Sequence, residues 1–293
     1  MKIDNRKKSI LFFGYGYTAK HLKKMMDKRH WNFYASTTKK ILPTVDKEVA
    51  FFNFEKDRNV LEKLILSCEA ILISVPPVGS IDPVLETFGS VFQKALKAKW
   101  IGYLSATSVY GNFKGNWVNE DTKPVPTTIR GINRLMAEEK WNKLGAKWSL
   151  PVLRFRISGI YGPGRSPFTR IRRNEQKVIQ KVNQVFNRVH IEDLCGILYQ
   201  TINKPVEGKL FNISDNKPSS SEDFLDKAAE LISHPKLERV PFEAADLSEM
   251  ASSFYAESKK VSNKKIIEEL DYNFKFPTFI EGLQNILQNE MLY

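Results

Sequence analysis

The chain is poor in the residues that build disulfide scaffolds, metal centres and membrane spans. Its 293 residues include two cysteines, Cys68 and Cys195, and four histidines. No His/Cys/carboxylate cluster has metal-ligand spacing, so no metal site is expected. Each cysteine lies in an apolar stretch, the pattern of a reduced core thiol, and a cytoplasmic location is expected. No run approaches the roughly 20 apolar residues that a span needs. The basic start and Ile10–Phe13 imitate a signal peptide, but four apolar residues before a glycine are too few for its hydrophobic region. No G-x-S-x-G nucleophile element is present. Acids are also scarce, 33 against 45 Lys/Arg, which leaves a net charge of +12.

That surplus is local. Residues 1–40 carry eleven Lys/Arg against Asp4 and Asp27. Residues 165–181 carry Arg165, Arg170, Arg172, Arg173, Lys177 and Lys181 against Glu175. A general nucleic-acid binder would more often show a continuous stripe or a reading motif, so nucleic acid ranks last among the partners. Two patches suit local anions, although Lys20, Lys23 and Lys24 read as the solvated face of a helix.

The first half alternates short apolar runs with helical patterns. Strands are expected at Ser9–Phe13, Phe33–Ser36, Val49–Phe54, Ala70–Val75, Trp100–Ser105 and Pro151–Ile157. Ala19, Leu22, Met25 and Met26 share one face of a 3.6-residue period, and Val84 to Leu96 repeats the pattern. The fold class expected is α/β, a Rossmann doubly wound parallel sheet with a smaller C-terminal α/β lobe. Residues 1–160 would form the nucleotide-type domain, with 187–214 returning to it, and 161–293 the smaller lobe. In the second part a helix is expected at Glu192–Ile202, a strand at Leu210–Ser214 and a helix near Ser221–Ile232. Further helices are expected at Asn263–Leu270 and Phe279–Asn289. Ser219–Ser221 before Glu222 and Asp223 supplies N-cap chemistry.

Gly14-Tyr15-Gly16-Tyr17-Thr18-Ala19 follows the first strand and opens the first helix, the context a G-x-G-x-x-G/A dinucleotide fingerprint requires. Gly14 permits the turn, Gly16 lets the backbone approach a pyrophosphate, and Ala19 lets helix and strand pack closely. An acid some 20 residues on would hold the ribose of NAD. Here the second strand ends Ser36-Thr37-Thr38-Lys39-Lys40, without one. Hydroxyls and ammonium groups suit a 2′-phosphate, so NADP is expected, with NAD the alternative.

Later segments carry a resemblance. Tyr103–Gly111 (YLSATSVYG), Arg154–Gly164 (RFRISGIYGPG), Asn187–Leu194 (NRVHIEDL) and Phe211–Ser214 (FNIS) join the glycine fingerprint in order. Together they resemble the extended short-chain dehydrogenases/reductases, the NAD-dependent epimerase/dehydratase group, over nearly the whole chain. The resemblance implies cofactor contacts from Gly14, Tyr15, Gly16, Tyr17, Thr18, Thr37, Thr38, Lys39, Ser74, Pro76, Ser105, Ile157 and Ile160. It implies that His190 and Asp193 brace a lobe interface. It also implies a monomer or a homodimer paired through helices over Pro83–Lys97 and Ile132–Leu144.

The catalytic triplet of that family departs from the pattern here. The Ser/Thr position falls on Ala106, between Ser105 and Thr107. Aligning Pro126–Glu138 onto P-T-S-P-Y-x-x-x-K-x-x-x-E puts Arg130 at the tyrosine and Arg134 at the lysine. The chain thus looks like the atypical members that lack the active-site tyrosine. A phenol can exchange a proton near neutrality when a cation lowers its pKa; a guanidinium cannot. The candidate catalytic residues are Thr107, Tyr110, Arg130 and Arg134. Arg130 could polarise a carbonyl, clamp a carboxylate or phosphate, or lie on the surface. Arg134 could contact ribose or a substrate anion, or pair with Glu138 at i,i+4. The leading expectation is a nicotinamide-dependent oxidoreductase or epimerase for a small polar or anionic, sugar-like substrate. The alternative is a cofactor-binding sensor or scaffold without turnover.

Overall fold

A computed structural model describes residues 7–39, 46–206 and 209–290; Lys40 of the charged segment lies outside them. The apolar runs form seven strands: β1 (Lys8–Phe13), β2 (Trp31–Thr37), β3 (Val49–Asn53), β4 (Ala70–Ile73), β5 (Trp100–Ala106), β6 (Val152–Ile157) and β7 (Leu210–Ile213). Their ends fall within two residues of those expected from sequence. The strand order is β7-β6-β5-β4-β1-β2-β3. Pairing is parallel between β1 and β2, β1 and β4, β2 and β3, and β4 and β5. A parallel sheet is covered on both faces, which is why its strands read as unbroken apolar runs. Ile10 to Phe13 are wholly buried, and β4 has no exposed residue.

Between the strands run α1 (Tyr17–Met25), α2 (Arg58–Ser67), α3 (Pro83–Phe92) and α4 (Ile129–Trp148). The start of α3 follows from Asp82-Pro83. Asp82 Oδ1 accepts the amides of Val84 and Leu85, and Pro83 is already set at a helical φ. Oδ2 of the same carboxylate accepts Trp141 Nε1 at 3.0 Å, so the cap also ties α4 to α3. Leu11, Phe13, Phe88, Phe92, Tyr103 and Trp141 belong to the core beneath them. Each such large side chain contributes roughly 1.5–3 kcal/mol of burial.

The chain divides into two compact units. The first comprises Met1–Ser105, Asn133–Phe155 and Cys195–Phe211; the second comprises Ala106–Ile132, Arg156–Leu194 and Asn212–Tyr293. The chain therefore passes between the units several times, and the second is slightly longer than the first. In the second unit, three short parallel ladders pair Gly159–Tyr161 with Arg188–His190, Val178–Gln180 with Arg239–Pro241, and Trp117–Val118 with Lys260–Val261. Its core gathers Tyr161, Phe168, Leu225, Phe279 and Leu283. Helix Ser221–Leu231 opens with a full capping box, Ser220 and Asp223 each bonding the other's backbone amide.

Candidate functional site

The strand order reverses between β1 and β4, because the chain runs outward through β2 and β3 and then returns to β4. In open α/β sheets ligands bind at the carboxyl ends of strands flanking such a point. Here those ends are Phe13-Gly14 and Ile73-Ser74. Ser74 N donates to the Phe13 carbonyl at 3.0 Å. Its hydroxyl lies 3.0 Å from that oxygen and 2.9 Å from the Gly14 carbonyl. Ser74 thus pins the glycine turn.

Gly14 has φ +87°, and a Cβ there would meet Ser74 Oγ at 2.8 Å. Gly16 differs: a Cβ would find nothing within 4 Å. Its backbone opens onto free space at the N-cap of α1. No side chain caps this nine-residue helix and its first turn holds no acid. The helix start presents amides and a positive dipole end, the electrostatics of an anion cradle. Thr18 and Ala19 are buried, as a close helix–strand approach requires. These residues fit a dinucleotide's pyrophosphate.

Tyr15 points its phenol at Asp46, donating at 2.7 Å, with its ring edge-on to Phe12 and Phe51. Burial, and then the Asp46 carboxylate, push this phenol well above its ordinary range. Asp46 also binds Lys23 at 3.1 Å, and Lys23 bonds Glu48. Lys23 is 11% exposed, so it is not the solvated lysine expected from sequence. The sequence pattern missed Asp46 because the acid lies nine residues beyond the end of β2, in a stretch without periodicity. At that strand end itself Thr37 is half-buried, while Thr38 and Lys39 are exposed. Thr37 Oγ1 accepts the Lys39 amide at 3.2 Å. Pro76 is exposed just beyond Ser74.

The positions that the sequence alignment offered as catalytic hold a hydrogen-bond network. In the first unit, Ser105 is buried and donates its hydroxyl to Glu138 Oε2 at 2.7 Å. Glu138 is 1% exposed and faces Arg154 at 3.9 Å through its other oxygen. Arg134 bonds neither; its Nη1 donates to the Leu104 carbonyl at 3.0 Å and to the Tyr103 hydroxyl at 3.2 Å. The i,i+4 pairing of Arg134 with Glu138 is thus replaced by a clamp on the end of β5. One terminal nitrogen of the guanidinium supplies both bonds, an N–H to each acceptor.

In the second unit, Thr107 opens a single 3₁₀ turn, Thr107–Tyr110, and is half-buried. Tyr110, another candidate, is wholly buried. Its hydroxyl lies 2.8 Å from both the Asn119 carbonyl and Asn212 Oδ1, and the Arg156 guanidinium sits 4.7 Å above its ring. Burial raises this phenol's pKa, the direction opposite to activation. Arg130 is exposed, 5.2 Å from the Phe254 ring. Ile157 is buried at the end of β6, and Ile160 pairs with Val189 in the short ladder.

His190 and Asp193 act inside the second unit. Asp193 accepts the amides of Lys275 and Phe276 at 2.8 and 2.9 Å and the Tyr272 hydroxyl at 3.1 Å. His190 packs against Tyr161 and Phe276. The basic stretch is partly neutralised there: Arg172 binds Glu290 and Lys177 binds Glu238, both at 2.9 Å. Both cysteines are buried thiols outside any disulfide, and burial pushes the Cys68 thiol up to about 12. Among the described residues no group of His, Cys, Asp or Glu could hold a metal ion, and no helix is long and apolar enough to cross a membrane.

The sheet order and the glycine turn at its reversal define a Rossmann-like α/β protein. No family model matches the sequence. A structure of a functionally unknown conserved protein from Silicibacter pomeroyi DSS is 35% identical, with a TM-score of 0.89, covering 97% of this chain and 99% of that one. The chain belongs to the same family as that protein. dTDP-glucose 4,6-dehydratase from Bacillus anthracis str. Ames, in complex with NAD, shares the fold at 19% identity and a TM-score of 0.75, over 97% of each chain. The human epimerase family protein SDR39U1, with NADPH, does so at 16% identity and 0.71, over 96% of this chain and 99% of its own. Protein YeeZ of Escherichia coli K12 is 28% identical over 176 residues, 60% of this chain, and the match spans 58% of that protein's length.

Proposed function

We propose that the chain binds a nicotinamide dinucleotide, NADP in preference to NAD, and acts with it as an atypical oxidoreductase or epimerase on a small polar or anionic substrate. One observation carries the reading: the open, acid-free and uncapped start of α1 behind Gly16, at the sheet's reversal point. Gly14, Tyr15, Gly16, Tyr17 and Thr18 would hold the pyrophosphate. Thr37, Thr38 and Lys39 would hold the 2′-phosphate, since their hydroxyls and ammonium attract what a carboxylate would repel. Ser74, Pro76, Ser105, Ile157 and Ile160 would line the remainder. When bound, the nicotinamide supplies or accepts a hydride, so no side-chain nucleophile is needed.

This chain's residues would orient the substrate and hold its charge. Arg130, exposed and always protonated, suits a substrate carboxylate or phosphate better than proton transfer. Thr107 would hydrogen-bond the reacting oxygen. Titration of the full chain with NADPH and with NADH by calorimetry tests the cofactor claim. Equal dissociation constants would remove the NADP preference, and no heat with either would remove the reading.

A second reading has its own support. Ser105, Tyr110 and Arg134 are each engaged in internal hydrogen bonds, so none of the three is poised to exchange a proton. A cofactor-binding sensor or scaffold without turnover follows from this. Incubating the NADPH complex with a metabolite extract separates the two, because only the enzyme would oxidise the cofactor.

A further inference from the structure

The second unit contains a cavity of about 420 Å³ whose lining includes Lys114, Lys181 and Lys260 but no carboxylate. We infer that it is a binding site for the phosphate group of a small phosphomonoester, a role independent of the proposed dinucleotide site.

The walls are built around Ser258, which is nearly buried. Its carbonyl accepts the amides of Phe113 and Gly115, both at 3.0 Å. Its hydroxyl lies 2.9 Å from the Asn183 carbonyl and accepts the Val185 amide at 3.1 Å, and its own amide donates to Asn112 Oδ1 at 3.1 Å. Three remote chain segments are thereby locked together before any ligand arrives, which lowers the ordering cost of binding. Lys114 and Asn183 are non-glycine residues in left-handed backbone, with φ of 53° and 59°. Strain of this kind gathers where a backbone is held for a ligand.

The charge is uncompensated. The nearest acid in sequence, Glu257, is consumed by Lys259 at 2.7 Å and by the Thr127 hydroxyl at 3.1 Å. Lys114 and Lys260 have no ion-pair partner among the described residues, while Lys181 is steered by the Tyr255 carbonyl. Three lysines lining one cavity suit a dianion with several acceptor oxygens better than a single carboxylate. The amides add donors: Asn112 Oδ1 is already occupied by two backbone N–H groups, so its NH₂ end is left for a ligand. The volume falls within the range of small-molecule pockets. The Tyr255 ring is covered by Phe186 and Phe242 at 5.1 and 5.4 Å, which leaves little face for stacking a nucleobase. These features favour a small polar phosphomonoester over a nucleotide.

The test is calorimetric titration of the full chain with inorganic phosphate and with glycerol 2-phosphate at constant ionic strength, with and without excess NADPH. Both probes should bind at one site, and Lys114→Met and Lys260→Met should each weaken binding by about tenfold. Lys114→Arg and Lys260→Arg should retain it, separating charge from packing. Undiminished binding in both Met variants, or complete displacement of phosphate by NADPH, overturns the inference, because the anion would then sit elsewhere. If NADPH itself fails to bind, only the dinucleotide reading falls; the phosphate titrations still decide this one.

Discussion

Ser105 and Glu138 share a 2.7 Å hydrogen bond inside the first unit, and the same carboxylate faces Arg154. A hydroxyl expected from sequence to meet the cofactor thus donates its proton to a carboxylate. Glu138→Ala would leave the buried Ser105 hydroxyl without its acceptor and remove the carboxylate facing Arg154, a loss of about 3 kcal/mol. Glu138→Gln keeps an acceptor for Ser105 and should cost only about 1–2 kcal/mol. Urea denaturation of the two variants measures the difference; equal losses would show that the charge has no part.

The two glycines of the turn should separate stability from binding. Gly14→Ala meets both a positive φ and the Ser74 hydroxyl, so it should destabilise the fold by about 1–3 kcal/mol. Gly16→Ala has open space and ordinary backbone, so stability should change by no more than about 0.5 kcal/mol. Its methyl would stand in the ligand's path, and NADPH affinity should fall by at least about tenfold. Thermal melts alongside NADPH titrations report both quantities.

Charge at the end of β2 should set cofactor choice. Lys39→Glu places a carboxylate where the proposed 2′-phosphate would sit, and NADPH affinity should drop by about tenfold. NADH affinity should barely move. A parallel fall for both cofactors would count against Lys39 as the discriminating residue.

Asp215 should make stability depend on pH. Burial, only partly offset by the Lys217 amide and the Arg188 charge, pushes its carboxyl up to about 7; Asp193 and Glu281 act in the same upward direction. Between the ordinary carboxylate range and pH 7 the folded state therefore holds a proton that the unfolded chain has released. Stability from this group is full below about pH 4 and declines as pH rises to about 7. Asp215→Asn cannot ionise, so denaturation midpoints across that interval should show a shallower decline than in the parent protein. Parallel profiles would assign the dependence to other groups.

Much of this was legible before folding. The main strands announced themselves because both faces of a parallel sheet are buried, and Gly14–Ala19 because a tight turn followed by a helix demands small residues there. The three short ladders of the second unit did not, since two or three residues carry no period. Nor did Asp46 or the cavity around Ser258, whose parts come from distant segments: Asn112, Asn183 and Ser258 share no local signal.

The sequence by itself determined the sheet, the place of the glycine turn and the absence of a tyrosine at position 130, because these depend on residue type and near neighbours. Tertiary structure alone decided that Tyr110 is sealed in, that Arg134 clamps Leu104 rather than pairing with Glu138, and that three lysines share one cavity. Burial and partner choice are set by whichever distant segments meet, and no local pattern encodes that meeting.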